Sequence, residues 1–301
     1  MKCTLCKQRA VIEDPVLCKD HFTEYVENTV AETIQRFNLI TSNDRIVVAA
    51  SGGKDSLTLL NILNKSGYAV VALAIDEGIA PYREKTLHDL TRFCQSHNIP
   101  LHIYSYEDEF GMPLDEMLRK HRFNPCSLCG VFRRYLLNTK SRELGATKLV
   151  TGHNLDDEAQ AILMNLFKHN AEVLPRSGPM TGVLLDNRFV RRVKPLYFLT
   201  EKQIMTYAFL QGLTGNFNEC PNASQSFRNA IRDWLNDIER EFPGSKCRLV
   251  NTFILWLPSL KLAYSSLSSG AIAVCRQCGE PSTQELCQAC LYVQQLTVLA
   301  R

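Results

Sequence analysis

Val26, Val30, Ile34 and Phe37 recur at helical spacing, which predicts an amphipathic helix with one buried stripe over 26–37. From Arg45 the pattern changes. The run Ile46-Val47-Val48-Ala49-Ala50 reads as a short buried strand, 57–64 as a helix and 69–75 as a second apolar strand. Further strands are expected at 101–104 and 148–151, with helices over 84–94 and 131–144. Strands that are apolar throughout and alternate with helices predict a parallel sheet covered on both faces, a doubly wound α/β fold. A ligand of such a sheet lies beyond the C-terminal ends of its strands.

The tract from Leu174 to Pro195, opening on Leu174-Pro175-Arg176-Ser177-Gly178-Pro179, breaks that rhythm and predicts a loop or hairpin at the functional edge of the sheet. Helices return over 201–210 and 227–241, and Phe242-Pro243-Gly244 ends the second. The apolar segment 250–267, interrupted by Pro258 and Lys261, reads as a buried helix or a dimer surface rather than a membrane span.

Composition adds one thing to this picture. With 301 residues and 45% hydrophobic content the chain can bury a sizeable core, and its net charge of +3 is too small to hold a nucleic acid except through a local basic surface. Its 12 cysteines follow a start with no apolar leader, and no apolar run is long enough to span a bilayer, so metal in a reducing, cytoplasmic compartment is expected rather than a disulfide framework.

The cysteines fall into groups. Cys3-x-x-Cys6 with Cys18-x-x-His21, and Cys275-x-x-Cys278 with Cys287-x-x-Cys290, each pair two knuckles that complete a closed tetrahedral zinc site, so two structural Zn²⁺ are expected. The domains then run as an N-terminal zinc finger (1–25), a catalytic domain (26–244), a helical segment (245–272) and a C-terminal zinc ribbon (273–301). Cys126-x-x-Cys129 has no neighbouring knuckle, and its partner is Cys220 in Glu219-Cys220-Pro221. Three thiolates leave a zinc site incomplete. They suit three irons of a [4Fe-4S] cluster whose fourth iron stays open, a persulfide-carrying pair of lowered pKa, or a pair that cycles through a disulfide, and spacing does not separate these. Cys94 and Cys247 read as small hydrophobes.

The first strand ends in Ser51-Gly52-Gly53-Lys54-Asp55-Ser56 and leads straight into a helix. Two glycines let backbone fold around an anion, and the helix N-terminus aims N–H groups and positive dipole at it, so this is a phosphate site. It lacks the spacing of a Walker A loop and of G-x-G-x-x-G.

This loop resembles the PP-loop of the ATP-pyrophosphatase superfamily, whose members adenylate a substrate and release pyrophosphate. Cys126 to Arg134, Thr151-Gly152-His153-Asn154-Leu155-Asp156-Asp157, Arg176 to Pro179, Arg191 to Leu196 and Glu219-Cys220-Pro221 extend the likeness. Together they resemble the TtuA and TtcA group of tRNA thiolation enzymes, and the terminal knuckles place the chain nearest the TtuA branch. TtcA-type enzymes show a second central Cys-x-x-Cys where this chain has Cys220.

The resemblance implies roles. Ser51, Gly52, Gly53, Asp55 and Ser56 cradle the phosphates of ATP, Lys54 is a counter-charge, the strand end at Ile75 receives adenine, and Gly152 lets the backbone approach the nucleotide. Asp157 holds Mg²⁺ or steers the reacting groups, or else it serves as a first-turn acid of a helix, as Asp156 and Glu158 also can. Arg133, where relatives often carry Lys, contacts ATP, and His153 forms hydrogen bonds rather than binding metal. Cys126, Cys129 and Cys220 hold the [4Fe-4S] cluster, with persulfide chemistry as the alternative.

The expected activity is ATP-dependent 2-thiolation of a tRNA uridine, its sulfur coming from a ubiquitin-like thiocarboxylate carrier or from sulfide. The rivals are a PP-loop amide or lysidine ligase and a zinc-bearing RNA-binding subunit. A homodimer is expected. For tRNA, residues 116–148 carry eight basic against two acidic residues and 168–194 carry six against two. Arg119, Lys120, Arg122, Arg134, Arg176, Arg191, Arg192 and Lys194 are the candidate phosphate contacts, with Phe123 and His121 to stack on a base.

Overall fold

This computed structural model describes residues 1–183, 186–213, 220–223, 226–267 and 273–298. Glu219 of the 219–221 motif, and residues 268–272 and 299–301 of the two C-terminal segments, lie outside them. A short hairpin, β1 (Ile12–Glu13) and β2 (Val16–Leu17), runs into α1 (Lys19–Arg36). Then follow β3 (Ile46–Ala49), α2 (Lys54–Lys65), β4 (Val70–Asp76), α3 (Tyr82–Ser96), β5 (Leu101–Ser105), α4 (Tyr106–Phe110), α5 (Leu114–Lys120), α6 (Pro125–Glu143) and β6 (Lys148–Thr151). The rest comprises α7 (Leu155–Phe167), a 3₁₀ turn at Ala171–Arg176, β7 (Arg191–Val193), α8 (Glu201–Leu210), α9 (Phe227–Glu241), α10 (Ser245–Leu267) and α11 (Gln288–Val298).

Five strands form a parallel sheet in the order β5-β4-β3-β6-β7, the doubly wound α/β fold expected. Its side chains alternate between two cores. Val48, Ala72, Ala74 and Val150 face α1, α2 and α8, while Val47, Leu73, Ile75 and Leu149 pack with Leu128, Phe132 and Leu136 of α6. The edge strand β7 comes from the tract expected as a loop or hairpin. It pairs parallel with β6, and Met180 adds one antiparallel bridge to Val193. Two arginines in a three-residue strand leave only Val193 fully buried, too little apolar signal to mark it.

The boundary expected after residue 25 falls within α1. Phe22, Val26, Val30 and Ile34 form one continuous stripe that joins Cys3, Ile12, Leu17 and Cys18 to the main core. Near the other end, α10 runs through Pro258; it buries Val250, Phe253 and Leu257 against α7 and α9 and exposes Leu255, Trp256 and Leu262. Among the described residues no helix is long and apolar enough to cross a membrane. The C-terminal segment docks on α6. Tyr292 of α11 meets Phe123 and Phe132 edge-on at 5.4 and 6.1 Å, and buried Glu280 accepts from Asn138 at 2.8 Å and pairs with Arg142.

Candidate active site and metal centres

Connections leave the sheet in opposite directions on the two sides of the β3–β6 pair, and a doubly wound sheet opens its crevice at such a reversal. Ala49 lies beside Thr151, so the two chains turn out of the sheet together. The loop 51–53 folds around one hydroxyl: Ser56 Oγ accepts from the amides of Ser51 (3.2 Å) and Gly52 (3.1 Å) and donates to the Gly53 carbonyl (3.0 Å). Gly52 has φ +81°, and a Cβ there would lie 2.0 Å from the Thr86 carbonyl oxygen. Gly53 caps α2, whose first amides and positive dipole face the crevice. At Gly152 a Cβ would lie 3.1 Å from Asp55 C and 3.2 Å from Ser56 N, so the chain it brings close is the loop itself.

Arg83 fastens the loop from the side. It is 3% exposed, and its guanidinium donates to the carbonyls of Ser51 and Ile75, tying the loop to the end of β4. Ile75 has its side chain in the core and its carbonyl engaged by that arginine. Glu77, also buried, lies 2.9 Å from Arg83 Nε with one oxygen and 3.6 Å from Arg133 with the other. Arg133 stands one turn beyond Cys129 on α6. A chain of charges therefore links the loop to the cysteine helix.

Beside the loop lies a cleft of about 150 Å³ lined by Lys54, Asp55, Asn154, Asp157, Gln160, Glu201, Arg228, Asn229 and Arg232. Lys54 contacts Asp55 at 3.2 Å and Glu201 at 2.8 Å. Asn154 caps α7 and also donates to Asp55 at 3.1 Å. Asp157 is a first-turn acid of α7 that also borders the cleft. Its Oδ2 accepts from the Asn154 amide to close a capping box, while Oδ1 faces Arg228 at 3.3 Å across the cleft. Burial pushes its carboxyl up to about 6, with Arg228 opposing and Asp55 reinforcing the shift. Asp156 instead points away, to the Glu201 amide and Lys246. His153 accepts or shares a proton with Thr151 at 2.9 Å; burial and the charges of Lys194, Arg228, Arg192 and Arg133 push it down to about 3, so the ring is neutral.

The first turn of α6 carries Cys126 and Cys129 behind an Asn124 cap. Cys126 Sγ lies 3.6 Å from the Asn222 carbonyl, which brings the Cys220 segment against the helix. Tyr106 donates to the Cys129 carbonyl at 2.8 Å. Burial raises the pKa of both Cys129 and Cys220, and each feels another thiolate: Cys220 that of Cys126, Cys129 that of Cys220. The terminal sets are tighter. Cys3, Cys6, Cys18 and His21 have their ligand atoms within 4.8 Å of one another, as do Cys275, Cys278, Cys287 and Cys290. Against the effect of burial, neighbouring amides hold Cys3 and Cys275 down to about 6, favouring the thiolates a metal needs. The central three are not drawn together to that degree.

Residues 23–238 match the PP-loop domain family. The chain is 36% identical over 296 residues to the tRNA-5-methyluridine(54) 2-sulfurtransferase of Pyrococcus horikoshii, across 97% of this chain and 93% of that one. The chain belongs to the PP-loop family of tRNA 2-thiolation proteins. The tRNA 2-thiolation protein NcsA of Haloferax volcanii is 32% identical, across 98% and 99% of the two chains. The structure is similar to that of the U34-tRNA thiolase NcsA from Methanococcus maripaludis with its [4Fe-4S] cluster, at a TM-score of 0.79 and 31% identity over 98% of this chain and 96% of that one.

Two members of the expected RNA surface of this PP-loop protein are corrected. Lys194 is buried, with Nζ donating to Glu158 at 2.6 Å, and His121 is buried as well, so neither is available to a phosphate or a base. Lys120 pairs with Glu116 at 2.6 Å, and Arg176 packs on Tyr264. Arg134 and Arg192 lie close to other guanidinium groups. Burial lowers the pKa of each, and so does a neighbouring guanidinium, Arg133 for the first and Arg134 for the second.

Three residues of the site escape a reading of motifs: Glu77, Arg83 and Arg228. Arg228 carried a signal, because a cation in the first turn of a helix opposes the dipole and implies an anionic partner. Arg83, in the first turn of α3, carried the same signal, and Glu77 had only its place just after a strand end.

Proposed function

We propose that this protein is a tRNA-uridine 2-sulfurtransferase that activates the uridine with ATP and replaces its C2 oxygen by sulfur. The observation that carries this reading is the physical link between a phosphate loop and three thiols through Arg83, Glu77 and Arg133. The loop amides and the α2 N-terminus bind the phosphates of ATP, and Asp55 and Asp157 offer carboxylates to Mg²⁺ at the cleft. The uridine O2 bonds to the α-phosphorus as pyrophosphate leaves. A sulfur nucleophile at the thiols then bonds to C2, and the C2–O bond breaks with AMP carrying the oxygen away. Adenylation makes that oxygen a leaving group, and positive charge at Lys54 and Arg228 offsets the charge building on phosphate.

Three thiols less closely gathered than either zinc set, Cys126 and Cys129 in the first turn of α6 and Cys220 from the segment against it, fit three irons of a [4Fe-4S] cluster better than one zinc ion. Such a cluster, when bound by Cys126, Cys129 and Cys220, supplies an iron position open to inorganic sulfur. The two terminal sets fit structural zinc. We include in the reading a sulfur donor, either a thiocarboxylate carrier or sulfide, and a homodimer.

The test is anaerobic protein supplied with ATP, Mg²⁺, sulfide and tRNA. Thiolated uridine at position 34 or 54 by mass spectrometry, with AMP formed only when tRNA is present, supports the reading. Normal tRNA binding with no thiolation, or full activity in C220S, would defeat it.

A further inference from the structure

Next to the cleft, α7 and α9 expose a group of aromatic side chains that no core claims. Phe167 is 61% exposed, Trp234 48% and Phe227 43%. Phe167 and Trp234 meet edge-on with centroids 6.2 Å apart, and Lys168 Nζ stands 4.9 Å from the centre of the Phe227 ring. Arg228 and Arg232, which line the cleft, stand on the same helix as Phe227 and Trp234. Asp233, an exposed acid beside Trp234, lies 3.7 Å from Arg232.

Resting on the tRNA reading above, we propose that Phe167, Lys168, Phe227 and Trp234 form the platform on which an unpaired base of the substrate tRNA loop stacks, next to the uridine entering the cleft. A uridine within a helical stack cannot present its C2 edge to a phosphate loop and a thiol site, so the loop must be splayed and its displaced neighbours need a surface. Exposed aromatic rings supply that surface for any base, and cations beside them attract the phosphates. An apolar protein partner would account for the rings but not for Lys168, Arg228 and Arg232 around them.

The experiment measures binding of transcribed tRNA to the full zinc-loaded chain by fluorescence anisotropy over a series of salt concentrations, with affinity for a non-hydrolysable ATP analogue as a fold control. W234A and F167A should each weaken tRNA binding by about tenfold, the scale of one lost stack. W234F should stay close to wild type, and K168A should flatten the salt dependence by about one phosphate contact. ATP-analogue affinity should be unchanged in all four variants. Wild-type tRNA affinity in both W234A and F167A overturns the platform, and a change of sedimenting mass alongside it identifies the face as a self-association surface. If the unmutated protein itself fails to bind tRNA, the tRNA reading falls along with the platform.

Discussion

Arg83 donates to the Ser51 carbonyl from a position where almost none of its guanidinium meets water. The phosphate loop is thus shaped by a residue that cannot touch the phosphate. R83A would strand Glu77 without its closest cation and free two carbonyls, a loss of about 3–5 kcal/mol for a broken buried pair. R83K keeps the charge but cannot span two carbonyls, so it should retain the fold better than it retains ATP affinity. Urea unfolding and nucleotide titration of the two variants measure this, and equal losses of ATP affinity and stability in R83K would count against it.

Gly52 and Gly152 should respond unequally to alanine. At Gly52 the new methyl would meet backbone at 2.0 Å and require a left-handed conformation, so G52A should abolish ATP binding. At Gly152 the approach is 3.1 Å with no such backbone demand, so G152A should weaken binding while leaving a measurable Kd.

Asp157 gives a pH signature. Its folded pKa is raised to about 6 from 3.8, so the native protein binds more protons than the unfolded chain between those values. Its contribution to stability therefore declines as pH rises through that window, while the ionised form needed at the cleft appears only above it. Single-turnover AMP formation should fall on acidification through about pH 6. R228A removes the opposing positive charge and should move that limb to higher pH. D157N should lose the limb and reduce kcat by at least about a hundredfold, the cost of removing a charge stabiliser at a reacting centre.

His153 should stay neutral throughout the working range. With its pKa pushed down to about 3, its ring resonances should be flat in NMR titrations from pH 8 to pH 5. A midpoint near 6.5 would show that the positive charges around it do not act as the geometry implies.

The C-terminal set of four cysteines should matter for stability before chemistry. C275A should release α11 from α6, seen as early proteolytic cleavage beyond residue 273 and a lower Tm. A variant that stays folded and binds tRNA yet makes no thiouridine would contradict that division.

The core α/β elements were legible because β3, β4 and β6 are apolar on both faces and the intervening helices keep their period. The PP-loop and the gathering of both terminal ligand sets were legible because short spacing is itself geometry. Elements that depend on distant partners were not. β7 is a strand because β6 offers it an edge, and the motif ahead of α7 marked the acids of its first turn but not its extent. Within the site, Arg83 and Glu77 looked like ordinary surface charges, and only burial separates them from the rest. Lys194 misled in the opposite direction, since a lysine buried against Glu158 reads from sequence as part of a basic patch.

α6 has one further consequence. Its start carries Cys126 and Cys129, and its later turns are covered by α11 and gripped by Glu280. During synthesis on the ribosome the helix emerges long before that cover exists. Until residues 273–298 appear, Phe132 lacks Tyr292 and Asn138 lacks Glu280, so the outer packing of the helix is completed only by the distal segment. The last-made segment thereby completes the packing behind the helix that carries Cys126 and Cys129.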